Sequence, residues 1–85
     1  MIEILNLSYI LNSAMTKLEI QYKVGERVVL LRKQKGLKQY ELAEKIGIED
    51  SALRRIEKGK TNCTIWLLYR ISIALEIELY DLLNL

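Results

Sequence analysis

Apolar positions along this chain recur mostly at spacings of three and four, and glycines interrupt the rhythm. That pattern predicts helices separated by short turns. Thr16-Lys17-Leu18-Glu19 has the form of a capping box, which opens a helix. Ile20, Val24, Val28 and Leu31 continue it as one apolar stripe toward Gly36. Leu18, Ile20, Tyr22 and Val24 also alternate as in a strand, but the cap and the longer stripe favour helix. Arg32, Lys33 and Lys35 suit the C-terminal end of that helix, where backbone carbonyls favour cations. A second helix is predicted over 39–46, with Leu42, Ala43 and Ile46 on one face and Gly47 after it. Ile48 is placed to plug the turn. A third is predicted over 50–58, with Leu53 and Ile56 inward and Arg54, Arg55 and Lys58 outward, closed by Gly59. A fourth runs from about Thr64, a candidate N-cap, to Leu75, and a short fifth from Glu78 to Leu83. The expectation is an all-α domain of five compact helices.

Two stretches depart from one-sided patterning. Residues 1–14 carry a single charge, Glu3, and seven large apolar residues: Ile2, Ile4, Leu5, Leu7, Tyr9, Ile10 and Leu11. Ile4, Leu7, Leu11 and Ala14 follow a helical stripe, while Leu5 and Ile10 fall off it. Such a segment needs cover from its own domain or from a partner. Residues 1–15 are therefore read as an apolar extension for packing or dimer contact, and 16–85 as the domain. Met15 begins a plausible alternative start, which would make the preceding residues an upstream addition. The fourth helix carries a second apolar set, Trp66, Tyr69 and Ile73, with Leu67 nearby. A helix apolar on all sides is buried on all sides, so the extension or a second subunit is expected to cover it.

Composition narrows the chemistry. Eighty-five residues make one small domain, for which association adds stability. One cysteine, Cys63, and no histidine exclude an internal disulfide and argue against a metal site. Cys63 is expected to be a small apolar filler. The N-terminus lacks the basic start of a signal peptide and no apolar run reaches membrane-spanning length, so a reducing, cytoplasmic setting is expected. No activated nucleophile, phosphate loop or carboxylate pair points to an enzyme. No cofactor and no small-molecule ligand are expected, because the chain leaves no room for an effector-binding domain. Net charge is only +2, but it is sorted. From Lys23 to Lys60 there are 11 basic and 6 acidic residues; the remainder holds 2 basic and 5 acidic. A local excess of this kind is an electrostatic footprint for phosphate, or simply a set of solvated helix faces.

The stretch 39–60, QYELAEKIGIEDSALRRIEKGK, has the form helix, glycine turn, helix, with basic residues outward on the second helix. Gln39, Leu42-Ala43, Gly47-Ile48, Ile56-Glu57 and Gly59 resemble the helix-turn-helix of the Xre family. That family takes in lambda-type repressors, Cro proteins and restriction–modification controller proteins, and the likeness extends over about 18–83. It implies a lambda repressor-like DNA-binding domain whose third helix enters the major groove. In the fourth helix, Ile65, Leu68, Ile71, Ser72 and Leu75 match the family's inward positions. Arg32 and Glu57 match scaffold positions, and Gln39 matches a residue that steadies the protein on the DNA backbone. Cys63 stands where the family usually has proline. Lys38 replaces the family's Ser or Thr N-cap; this removes about 1 kcal/mol of capping but sets a cation beside a phosphate-binding helix end.

By position, Asp50, Ser51 and Arg55 are the residues that reach base edges, with Arg54 beside them. Arg55 has the fork that matches guanine O6 and N7. Asp50 departs from the pattern, because a carboxylate is repelled by phosphate. It, or Glu49, caps the third helix, which is the favoured reading; the alternative is acceptance from cytosine N4. Lys58, Lys60, Asn62 and the amides around Gly59 are expected at the phosphates. The expected dimer contacts are Trp66, Tyr69, Ile73 and Tyr80. These expectations describe a transcriptional regulator that acts as a homodimer on a palindromic site in double-stranded DNA. The alternative is a protein-interaction module, such as an antitoxin, that uses the apolar face of the fourth helix.

Overall fold

A computed structural model of the chain describes residues 14–85. The apolar extension assigned to 1–15 lies almost wholly outside the described residues. Five α-helices follow in order: α1 (Lys17–Gln34), α2 (Gln39–Ile46), α3 (Asp50–Glu57), α4 (Ile65–Ala74) and α5 (Leu79–Leu82). Among the described residues there is no strand. α1 packs on α3 and α5, α2 on α3 and α4, and α4 on α5. The core they enclose is Val28, Leu31, Leu42, Ala43, Ile46, Leu53, Ile56, Ile71, Leu75 and Leu82.

The ends of the helices follow local chemistry. Thr16 caps α1 through both halves of a capping box: the Glu19 amide donates to Thr16 Oγ1 at 3.1 Å, and the Thr16 amide to Glu19 Oε1 at 3.5 Å. Thr64 caps α4, its Oγ1 accepting from the Leu67 amide at 3.0 Å. At α2, Lys38 offers no acceptor, but Glu41 Oε1 accepts from the Lys38 amide at 2.8 Å, so half of a capping box survives. Gly47 ends α2 at φ 84°, and the Ile48 amide closes back on the Ala43 carbonyl at 3.0 Å. The Arg70 guanidinium adds a donor to the Ile46 carbonyl, neutralising the negative end of α2. α4 ends the same way as α2 but with Glu76 in the left-handed position, at φ 58°.

The stripe predicted for α1 divides at its midpoint. Val28 and Leu31 are core, whereas Ile20 is 43% exposed and Val24 half-buried. The buried residues in the first half are instead Gln21 and Gly25. The reason is backbone proximity. A Cβ on Gly25 would sit 2.5 Å from the Ile56 carbonyl oxygen and 2.7 Å from that of Glu57. Only glycine lets α1 approach the end of α3 so closely. Gln21 Nε2 then donates to the Gly59 carbonyl at 3.1 Å. The inward assignment of Ile65 also fails: it is 77% exposed, because α4 turns its first residue away from the core. Leu68 is half-buried and Ile71, Ser72 and Leu75 are buried as expected. Ser72 is tolerated inside because its hydroxyl donates to the Tyr69 carbonyl of its own helix at 2.6 Å. Arg27 ties α1 to the short α5, donating twice to the Asp81 carbonyl at 2.9 and 2.8 Å.

Candidate nucleic-acid interface

α2 and α3 make a helix-turn-helix held to α1 by one buried carboxylate. Glu57, at the last position of α3, receives the Arg32 guanidinium from α1 in a two-pronged pair at 2.8 and 3.1 Å. The side chains of the pair are 12% and 5% exposed. Arg32 also donates to the Leu37 carbonyl at 3.0 Å, fixing the α1–α2 turn. Gln39, at the start of α2, donates its Nε2 to the same carboxylate at 2.9 Å. One anion therefore fixes the end of α3 relative to the start of α2 and the second half of α1. Arg32 and Glu57 are scaffold, and so is half of the Gln39 amide.

α3 has one buried side and one solvated side. Leu53 and Ile56 are buried; Asp50, Ser51, Arg54, Arg55 and Lys58 are exposed on the opposite face, with Ala52 half-buried at its edge. Among the described residues the side chains on this exposed face make no hydrogen bond and no ion pair, and Lys60 and Asn62 just beyond α3 are exposed as well. The fold thus gathers Asp50, Ser51, Arg54, Arg55, Lys58, Lys60 and Asn62 around a single helix and its exit. Lys38 and Gln39 stand at the N-terminal end of α2, Lys38 exposed and Gln39 half-buried.

Two sequence expectations need correction here. Asp50 does not cap α3: Glu49 holds the N-cap position, and neither side chain bonds a backbone amide of the first turn. Asp50 lies one position into the helix, where its charge still suits the positive end of the helix. The amides around Gly59 are not free for phosphate either. Gly59 donates to the Ile56 carbonyl at 3.0 Å and Lys60 to that of Arg55 at 2.9 Å, closing the end of α3. Gly59 is buried, and a Cβ on it would lie 2.6 Å from Tyr22 Cα of α1. The Gly59 and Lys60 amides are therefore committed to the fold.

Tyr40 was missed by sequence reasoning. It is 54% exposed and shares a shallow depression with Glu44, Gly47, Ile48, Glu49 and Asp50, directly beside the start of α3. Its signal in the sequence was an aromatic residue next to Gln39 and off the Leu42–Ala43–Ile46 stripe.

The proposed association surface lies elsewhere. Trp66 and Tyr69 are 66% and 44% exposed, with ring centroids 5.8 Å apart and planes tilted by 32°. With Ile73 they line a shallow depression bordered by Lys45 and Arg70. Tyr80 on α5 is also exposed but is not among the residues of that depression. Cys63 is half-buried against the core, and burial pushes its thiol up from the ordinary value, which suits an unreactive filler. Among the described residues no group of acidic, histidine or cysteine side chains could hold a metal ion, and no helix is long and apolar enough to cross a membrane.

Comparison with known proteins agrees with this geometry. The profile of the helix-turn-helix family HTH_3 matches residues 30–82. The HTH-type transcriptional regulator SinR of Bacillus licheniformis is 40% identical over 62 residues, covering 72% of this chain and 56% of the relative. The chain thus spans little more than half the length of that regulator. Among solved structures, the restriction–modification controller protein C.AhdI of Aeromonas hydrophila superposes with a TM-score of 0.71 at 34% identity, covering 73% of this chain and 94% of the other. SinR, the master regulator for biofilm formation, in complex with DNA superposes with a TM-score of 0.67 at 39% identity, covering 72% and 98%. The chain belongs to the HTH_3 helix-turn-helix family and has its lambda repressor-like, all-α fold.

Proposed function

We propose that the chain is a sequence-specific DNA-binding transcriptional regulator that acts as a homodimer on a palindromic operator in the cytoplasm. The observation that carries this reading is the outer face of α3. Asp50, Ser51, Arg54, Arg55 and Lys58 are exposed together on a helix whose opposite face is locked into the core. Side chains that the scaffold does not use, on a helix the scaffold fixes, are what base reading requires. Arg55 reads guanine; Ser51 and Asp50 reach neighbouring bases, Asp50 as an acceptor for cytosine N4, a role favoured by its making no cap. Arg54, Lys58, Lys60 and Asn62 hold phosphates, as do Lys38 and the amides at the start of α2. Gln39 keeps a free oxygen while its nitrogen is anchored on Glu57. The SinR–DNA complex among the related structures supports the same orientation of function.

Two copies joined through Trp66, Tyr69 and Ile73, with Tyr80 at the margin, would set two α3 helices about 34 Å apart in successive major grooves. Selection of binding sites from random duplexes tests the proposal. A palindromic motif with half-site centres about ten base pairs apart is expected. No enrichment by a folded protein would sink it. The exposed Trp66–Tyr69–Ile73 face supports a second reading, a protein-interaction module such as an antitoxin, which that negative result would favour.

A further inference from the structure

The exit of α3 is shared with the second turn of α1. Gly59 is buried at φ 75°, and a Cβ there would lie 2.6 Å from Tyr22 Cα and 2.9 Å from Tyr22 N. The two backbones therefore touch with no side chain between them. Gln21 secures the contact from inside: it is 9% exposed and donates its Nε2 to the Gly59 carbonyl at 3.1 Å. With Gln21 turned inward, the next position lies about 100° further round the helix and meets solvent. That position is Tyr22, which is 56% exposed.

The setting of Tyr22 differs from that of the other tyrosines among the described residues. Tyr40 borders Glu44, Glu49 and Asp50, carboxylates that repel phosphate. Tyr69 lies against Trp66, with ring centroids 5.8 Å apart. Tyr80 is on α5, which packs on α1 and α4. Tyr22 instead abuts a glycine that has Lys58 on one side and Lys60 on the other. Both lysines are exposed, and among the described residues neither is in an ion pair. A lysine is a point charge that draws in an anion without fixing its orientation. A phenol is a directional O–H donor that carries no charge. Two such cations and one such donor at a single glycine make a place where a phosphate is both attracted and oriented. The site continues the outer face of α3, through Arg54, Arg55 and Lys58, so its occupant is the same duplex that α3 reads.

We propose that Tyr22 is a further DNA-contacting residue, its hydroxyl donating to a backbone phosphate that Lys58 and Lys60 bring to the exit of α3. The inference rests on the reading of α3 as the helix that enters the groove. The family-matched segment begins at residue 30, so this contact is added by turns of α1 that precede it.

Tyr22→Phe removes the oxygen and keeps the ring. Binding of the full chain is measured by fluorescence anisotropy on the duplex recovered by selection and on an unrelated duplex, over a series of salt concentrations. The variant is expected to bind both duplexes about tenfold more weakly, the scale of one hydrogen bond to a charged acceptor. The slope of log affinity against log salt is expected to stay the same, because a neutral donor releases no counterion. Unchanged affinity for both duplexes, with the wild-type chain binding the selected one, would overturn the contact and leave the α3 reading in place. So would a loss confined to the selected duplex, which would mark a base contact. Failure of the wild-type chain to bind duplex DNA would remove the α3 reading and this contact together. Should the substitution lower the thermal transition, the wild-type chain decides through nitration by tetranitromethane, mapped by peptide mass spectrometry. Adding the selected duplex is expected to slow nitration of Tyr22 several-fold and leave that of Tyr80 unchanged. An equal rate at Tyr22 with and without the duplex would overturn the proposal.

Discussion

The outer faces of α3 and α4 share one helix geometry and meet water with opposite chemistry. On α3 the exposed side chains are Asp50, Ser51, Arg54, Arg55 and Lys58; on α4 they are Ile65, Trp66, Tyr69 and Ile73. Polar groups on α3 are satisfied by water, so that face stays open at little cost until a ligand replaces the water. Trp66, Tyr69 and Ile73 are not satisfied by water, and the free energy of removing them from it is available to any partner that fits. The two faces therefore suit different kinds of recognition. A charged face gives salt-dependent binding with specificity in its hydrogen bonds, and an apolar face gives association driven by area.

The α3 face rests on a close backbone contact with α1, and breaking it should produce the largest effect. Gly25→Ala forces a methyl group into the carbonyls of Ile56 and Glu57. Overpacking against backbone should cost about 3 kcal/mol or more, a fall of at least about 12 °C in melting temperature for a domain of this size. An unchanged thermal transition would show that α1 and α3 can separate without loss.

Removing the apolar side alone comes next. Trp66→Ala should weaken self-association by about 2–4 kcal/mol if Trp66 is an interface anchor, seen by sedimentation as a shift toward monomer. A variant that stays dimeric with unaltered stability would remove α4 from the interface. Removing the polar side alone is expected to be milder and more specific. Arg55→Ala should leave the fold intact, cost about 1–3 kcal/mol on the selected site and relax preference at one base pair. Equal loss on every sequence would make Arg55 a phosphate contact.

Smaller effects sharpen the division. Glu76→Gly relieves a left-handed backbone at the end of α4 and should raise stability by about 1 kcal/mol, read as a higher denaturation midpoint with DNA affinity unchanged. A lower midpoint would mean that the Glu76 side chain contributes more than its backbone strain removes. Lys60→Ala should weaken binding to any duplex and reduce the salt dependence by about one unit. An unchanged slope would place Lys60 off the backbone.

The outer face of α3 was legible in the sequence because helical periodicity fixes which residues share a side once Leu53 and Ile56 are inside. Gly47, Thr16 and Thr64 were legible as helix boundaries because capping depends on residues within four positions of one another. Expectations failed wherever the deciding neighbour was distant in sequence. Ile20 and Val24 follow a good stripe, yet α3 meets α1 through Gln21 and Gly25. The Gly59 region looks like a free loop, yet its amides close α3 and its backbone lies under Tyr22. The cap of α3 is a local exception: Glu49, the alternative to Asp50, holds the N-cap position, and neither side chain bonds a first-turn amide.

The amino-acid sequence by itself determined the five helices of residues 14–85, their turns, the basic face of α3 and the apolar excess of α4, because periodicity and capping are local properties of the chain. Tertiary structure decided the rest. It made Glu57 the common partner of Arg32 and Gln39, pressed Gly25 against the carbonyls of α3, and anchored Gln21 on the Gly59 carbonyl. Each of these depends on backbones 18 to 38 residues apart being brought within hydrogen-bond or van der Waals distance, and no local pattern encodes such a distance.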